Sequence, residues 1–228
     1  MEYRLESRRG ALGRMVVREE TQGDSVRVES ETEWSSAAWN KRMLLLSRSD
    51  AQTFESQEFR EIERDPQGER KSIFRFDHDN GVVKLKRSSG EVADAPLLEG
   101  YADPLSMLLR LRHAGRDMER LRIPMIGKTV EARFVSEREI DTPVGSFHAR
   151  AYRIVPGSHL VWVADKAPHA VVKFAQWTPN GPIEGTLDRL ATEQRLPLWE
   201  QEKKPGRRRR GRRRRRPKSS RSNNRSDN

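Results

Sequence analysis

The apolar residues of this chain recur mostly at every second position, in short runs cut by turn signals. In "DSVRVESETEW", Val26, Val28, Thr32 and Trp34 alternate with Arg27, Glu29, Glu31 and Glu33. That period predicts a strand with one buried and one wet face, so the three acids are expected in solvent. "KSIFRFDHDNGVVKLKRS" reads as a hairpin, because Asn80-Gly81 can supply the two positive-φ residues of a type I′ turn. "TVEARFVSEREI" and "SFHARAYRIV" flank the turn-forming "DTPVG". "HLVWVAD", "AVVKFAQWT" and "IEGTLDRLA" continue a meander punctuated by "KAPH" and "PNGP". Trp34, Trp162 and Trp177 fall within these runs and are expected in the core.

One stretch breaks the alternation. "DPLSMLLRLRHAG" opens with Asp103 as N-cap and Pro104 at the first helical position. It sets Leu105, Leu108, Leu109 and Leu111 on one side and stops at Gly115. The pattern predicts a mainly β fold, an antiparallel meander of roughly ten strands with one short helix. The periodicity ends near Leu196. The predicted organisation is a β-rich domain over 1–196, a linker over 197–206 and a disordered basic tail over 207–228, whose Arg, Ser, Asn and Pro have nothing apolar to bury. Trp199, with Leu196 and Leu198, is expected to pin the chain's exit against the body.

"EYRLESRRGALGRMVV", "YADPLSMLLRLR", "IPMIGKTVEARFVSEREIDTPVGSFHARAYRI" and "LVWVADKAPHAVVKFAQW" together resemble an uncharacterised family of bacterial β-rich proteins. Its members begin with a Tyr…Gly…Gly strand pair, carry an Asp-Pro-Leu-Ser helix and show a Thr-Pro-x-Gly hairpin and a Val-Trp strand. The resemblance covers about residues 3–190. It implies an incomplete, lipocalin-like or lipoprotein-carrier-like barrel, and it carries over no catalytic residues. Typical members are exported and lack a poly-arginine tail, whereas no leader is read in this sequence and such a tail is present. "MEYRLESRRGALGRMVV" has no apolar h-region, so a cytoplasmic location is expected, or a periplasmic one if a leader has been removed.

Charge changes the picture at one end of the chain only. The sequence has 45 Lys+Arg against 34 Asp+Glu, a net of +11. Residues 203–228 hold 14 of the cations and one anion, which leaves 31 cations and 33 anions, a net of −2, on residues 1–202. The excess sits on Lys203, Lys204, Arg207, Arg208, Arg209, Arg210, Arg212, Arg213, Arg214, Arg215, Arg216 and Lys218, with Arg221 and Arg225 beyond. Arginine at this density, of one sign, favours a polyanion: guanidinium groups make bidentate phosphate contacts and stack on bases. These residues are the candidate nucleic-acid-binding set. RNA is favoured over DNA because arginine-rich disordered segments adapt to folded RNA.

Catalytic and metal chemistry find no foothold. There is no cysteine, which excludes disulfides, thiolate metal sites and cysteine catalysis. His78, His113, His148, His159 and His169 are scattered without metal-ligand spacing. "DHDNG" fails as a calcium loop, since Gly81 falls at position 5 and Ser88 at position 12. No G-x-S-x-G elbow, P-loop or dinucleotide fingerprint occurs, so no catalytic residue, metal or cofactor is expected. The expected function is non-enzymatic nucleic-acid binding. The alternative is a carrier that holds an apolar ligand, or a protein partner, on the barrel. No apolar run approaches the length of a membrane span.

Overall fold

Why the alternation yields one continuous sheet is plain from the strand order. In the computed structural model, which describes residues 1–36, 39–115, 117–157, 159–179 and 181–190, the first eight strands run in sequence. They are β1 (Glu2–Ser7), β2 (Gly10–Gln22), β3 (Ser25–Ser36), β4 (Trp39–Asp50), β5 (Ser56–Asp65), β6 (Gly68–Asp77), β7 (Val82–Arg87) and β8 (Val92–Pro96). Helix α1 (Pro104–His113) follows. The chain then forms β9 (Arg120–Met125), β10 (Lys128–Thr142), β11 (Gly145–Val155), β12 (His159–Ala164), β13 (Val171–Thr178) and β14 (Gly181–Arg189). Each strand pairs antiparallel with its chain neighbour, except that β8 does not pair with β9; instead β1 pairs with β14. The result is a single fourteen-stranded antiparallel sheet that does not close, with β8 and β9 as its two edges. Pro96 ends one edge strand and Pro124 lies in the other, where a missing N–H blunts further pairing.

The strand count exceeds the expected ten because several strands carry charge on both alternation phases. "SQEFREIERD" and "GERKSIFRFD" form β5 and β6, held by cross-strand pairs such as Arg70–Glu63 at 2.8 Å and by ordinary ladder bonds. The apolar signal of β5 is diluted, but its pairing is not; β6 is the first strand of the expected hairpin. The Asn-Gly hairpin is present between β6 and β7, with a longer loop than expected. Asp77 faces Val82, so four residues make the turn; the Asp77 carboxylate accepts the Asn80 backbone N–H at 3.1 Å, and Gly81 takes φ 65°. An Asx-type turn captures the Asn and widens the loop.

α1 forms where predicted. Asp103 caps it, accepting from Leu105 N and Ser106 N, while the Ser106 hydroxyl accepts the Asp103 backbone N–H to complete a capping box. The helix packs on β3 and β4, and Leu105 and Leu109 join Val26 and Val28 in one cluster. Leu111 reaches a larger cluster with Tyr3, Ile123, Tyr152 and Leu187, and the lead-in residue Tyr101 packs with Phe59, Phe76 and Val83 in a third. The face of the sheet that carries α1 is therefore filled by the helix and its approach. Leu109 is 1% exposed, so Leu109→Ala should lower the unfolding free energy by about 2 to 5 kcal/mol. Half-buried Leu108 should lose less on truncation. Urea unfolding of both variants checks the ranking; near-neutral effects at both positions would mean the helix does not hold this face.

Two expectations are corrected. Glu29 and Glu31 do not stand in solvent: they are 0% and 9% exposed, on the face opposite α1. Arg18 from β2 approaches Glu29 at 2.6 Å, and Arg42 from β4 pairs with Glu31, so the carboxylates trade hydration for guanidinium partners. Leu44 and Leu46 share that face, opposite Glu31 and Glu29, whereas Leu45 points to the α1 side. Trp177 is 49% exposed, near the end of β13 beside the turn to β14, while Trp162 is buried as expected. The linker, the tail and the anchor at Leu196, Leu198 and Trp199 lie outside the described residues.

Candidate functional site

The histidines that look scattered in the sequence are in large part gathered by the fold. His113 ends α1, His148 lies on β11 and His169 on the loop between β12 and β13. That loop is fastened to the helix by Arg112. Its Nε donates to the carbonyl of His169 at 3.0 Å and its Nη2 to that of Pro168 at 3.1 Å, while Nη1 pairs with Glu19 on β2. Arg112 is 9% exposed, so it acts as an internal strut, and its charge is balanced by an acid at the edge of the core.

Between this loop, the last turn of α1 and strands β11 and β12 lies a cavity of about 280 Å³. Its polar wall includes Arg112, His113, Arg150, Tyr152, Asp165 and His169; Leu111, Val163 and Ala164 supply its apolar floor. Arg150 is 7% exposed, lies over the rings of Phe134 at 4.6 Å and Tyr152 at 5.6 Å, and approaches Glu137 at 3.1 Å. Burial raises the Tyr152 hydroxyl above its ordinary pKa, against the opposing pull of Arg150. At the rim, His148 Nδ1 meets Asp165 at 2.6 Å, and the Asp165 backbone N–H donates to the His148 carbonyl at 3.0 Å.

Hydrogen bonding fixes two of the imidazole tautomers. His113 Nδ1 lies 2.9 Å from the Leu109 carbonyl and His169 Nδ1 lies 3.2 Å from that of Ala164. A carbonyl only accepts, so Nδ1 carries the proton in both rings and Nε2 is the acceptor of the neutral form. Both non-glycine residues in the left-handed region among the described residues belong to this neighbourhood. His169 (φ 51°) lines the cavity, and Phe54 (φ 55°) packs its ring 4.7 Å from that of His113. Backbone conformations of this kind persist where the surroundings over-determine them, and they concentrate at functional sites.

Sequence reading missed this group because its members lie far apart along the chain and match no motif; only the cross-sheet packing unites them. Among the described residues, no three His, Asp or Glu side chains stand close enough to hold a metal ion. The twelve basic residues predicted to bind nucleic acid, Lys203 to Lys218, lie outside the described residues. Among the described residues, no helix is long and apolar enough to cross a membrane.

An open antiparallel barrel with a helix against one face and a small polar cavity at the helix end defines a barrel-like protein of the kind the sequence resembles. The chain belongs to the DUF3108 family of proteins of unknown function, whose model matches residues 2–188. Among solved structures it is similar to a β-barrel-like protein of the DUF1849 domain of unknown function from Brucella abortus. The two are 12% identical with a TM-score of 0.54, over 85% of this chain and 96% of that one. A DUF1089 family protein from Pseudomonas aeruginosa aligns at 14% identity with a TM-score of only 0.32, over 80% of this chain and 92% of that one. No curated protein matches the sequence. The similarity to the Brucella abortus protein concerns the fold alone.

Proposed function

We propose that this protein is a non-enzymatic nucleic-acid-binding protein of the cytoplasm, in which the barrel-like body is electrostatically self-contained and the arginine-rich tail holds phosphates. The partition of charge carries this reading. Nine of the ten residues over 207–216 are arginine, whereas residues 1–202 sum to −2. Cations of the body are engaged across neighbouring strands: Arg14 with Glu33 at 2.8 Å, Arg120 with Glu131 at 2.6 Å, and Lys173 with Glu184 at 2.7 Å. Such paired ladders offer a polyanion little surplus charge, while the tail offers almost nothing else. RNA is favoured over DNA for the adaptability already described.

The test is deletion of 203–228. If about seven of the tail's cations touch phosphates, the salt slope is roughly −6, and affinity falls about 10³- to 10⁴-fold between 50 and 200 mM salt. The truncated body should keep its melting temperature within a few degrees, lose most binding to non-specific RNA and show a flat salt response. Truncated protein that binds as tightly as full length would place the site on the barrel and reject the proposal.

A second reading, a binding or carrier protein related to lipoprotein carriers, draws on the cavity beside α1. The leucines of the helix and the aromatic residues around Tyr101 pack the sheet face they occupy. The polar wall of the cavity favours a small polar ligand over a lipid. Saturable binding of a lipid probe by the truncated body would support the carrier form instead.

A further inference from the structure

We propose that the outer face of β9, β10 and β11 is a second phosphate-contact surface, on which Arg120, Arg122, Arg133 and Arg153 hold the backbone of the RNA that the tail captures. It rests on the RNA-binding reading above and adds a place on the body to it. Arg120, Arg133 and Arg153 are direct cross-strand partners in three successive strands, and Arg122 lies opposite Glu131. They alternate with the buried Ile123, Ala132 and Ile154, so they point away from the core. Like charges set directly opposite one another weaken a sheet, so the row does nothing for the fold.

The pairing that balances the rest of the body runs short here. Glu131 meets Arg120 at 2.6 Å and Arg133 at 3.0 Å, one carboxylate between two guanidinium groups. The hydrogen bond from Arg133, with the charges of Arg120 and Arg122 behind it, holds the Glu131 carboxyl below its ordinary pKa, against desolvation. Arg122 and Arg153 are exposed and have no ion pair among the described residues. Four arginines therefore share one acid. Neighbouring strands lie about 4.8 Å apart, so the row spans about 10 Å. One strand of a nucleic acid presents a phosphate roughly every 3.4 Å of helix axis, so the row can meet about two or three. Trp162 of β12 is 5% exposed, with Arg138 at 5.1 Å and Lys173 at 5.8 Å over its ring, and offers no face to a base. The surface contacts backbone and does not read sequence. So small a surplus binds weakly alone, but it adds to the tail when both act on one polyanion.

Fluorescence anisotropy of a mixed-sequence single-stranded RNA with the full-length protein, between 50 and 200 mM salt, is the experiment. Arg122→Gln with Arg153→Gln removes two phosphate contacts. The salt slope should flatten by about 1.4, and affinity at 100 mM should fall about tenfold or more. Neither side chain is buried or paired, so the melting temperature should stay within a few degrees. Arg14→Gln with Arg70→Gln loses the same charge from arginines held by Glu33 and Glu63, and should leave the slope unchanged. An unaltered slope in the first variant, or an equal change in the second, overturns the surface while the tail reading stands. Full-length protein that binds no RNA at 100 mM salt would reject both. If the first variant loses poly-glutamate binding as steeply as RNA binding, the row belongs to an acidic protein partner, and the assignment fails.

Discussion

Asp103→Ala is expected to lower the unfolding free energy by about 3 to 5 kcal/mol, a large share of the 5 to 15 typical of a domain. The Asp103 carboxylate joins three elements. Oδ2 accepts the Ser47 hydroxyl of β4 at 2.7 Å and the Ser56 hydroxyl of β5 at 2.6 Å, while Oδ1 accepts the backbone N–H of Leu105 at 2.8 Å and of Ser106 at 3.1 Å. Its residue is 2% exposed, so alanine would remove the cap and strand several buried donors together. Asp103→Asn keeps an acceptor for the helix N–H groups and can donate to the serine oxygens, so its loss should be much smaller. Burial holds the pKa of Asp103 above the ordinary aspartate value of 3.8, against the pull of those hydrogen bonds. The folded state then binds the proton more tightly than the unfolded state. The stability contributed this way is full below that ordinary value and is lost as pH rises through the folded one. Asn removes that dependence. Chemical denaturation across this window, on wild type and both variants, would expose an error if Asp103→Ala proved as mild as Asp103→Asn.

Gly13→Ala should be as damaging, at about 3 kcal/mol or more, for a reason invisible in any side-chain contact. Gly13 pairs with Leu5 on one side and Trp34 on the other, at φ 154°, and a Cβ there would land on the carbonyl oxygen of Glu33. That oxygen belongs to the backbone of β3 and cannot swing aside, so relief requires β2 and β3 to part. Gly10 is the internal comparison. It also has a positive φ, 112°, but a Cβ there meets nothing, so Gly10→Ala should cost only about 1 kcal/mol of backbone strain. Equal melting temperatures for the two variants would show that the close approach at Gly13 is dispensable.

Strands with clean apolar alternation were legible in the sequence, as were the capped helix and the hairpin at Gly81, since each rests on residues within a dozen positions. β5 was harder because Arg and Glu occupy both phases, and its partners sit on adjacent strands. The burial of Glu29 was not legible at all. It depends on Arg18 arriving from β2 in register, a fact of pairing that alternation cannot supply. The cavity shares that character. Arg112, Arg150 and His169 are ordinary until α1 and the loop before β13 meet, and no local period marks a residue whose role is set by a distant neighbour.

The pairing of β1 with β14 has a kinetic consequence. Every other ladder of this sheet is a hairpin that can zip as soon as it emerges, but Glu2 finds Arg189 only when nearly the whole folded unit exists. Closing so long a loop is entropically slow, so β1 waits, with one edge unsatisfied, for β14. Until then β1 offers a bare template to any extended chain nearby. Refolding rate, more than final stability, should therefore be the property most sensitive to substitutions in "EYRLES" and "GPIEGTLDR".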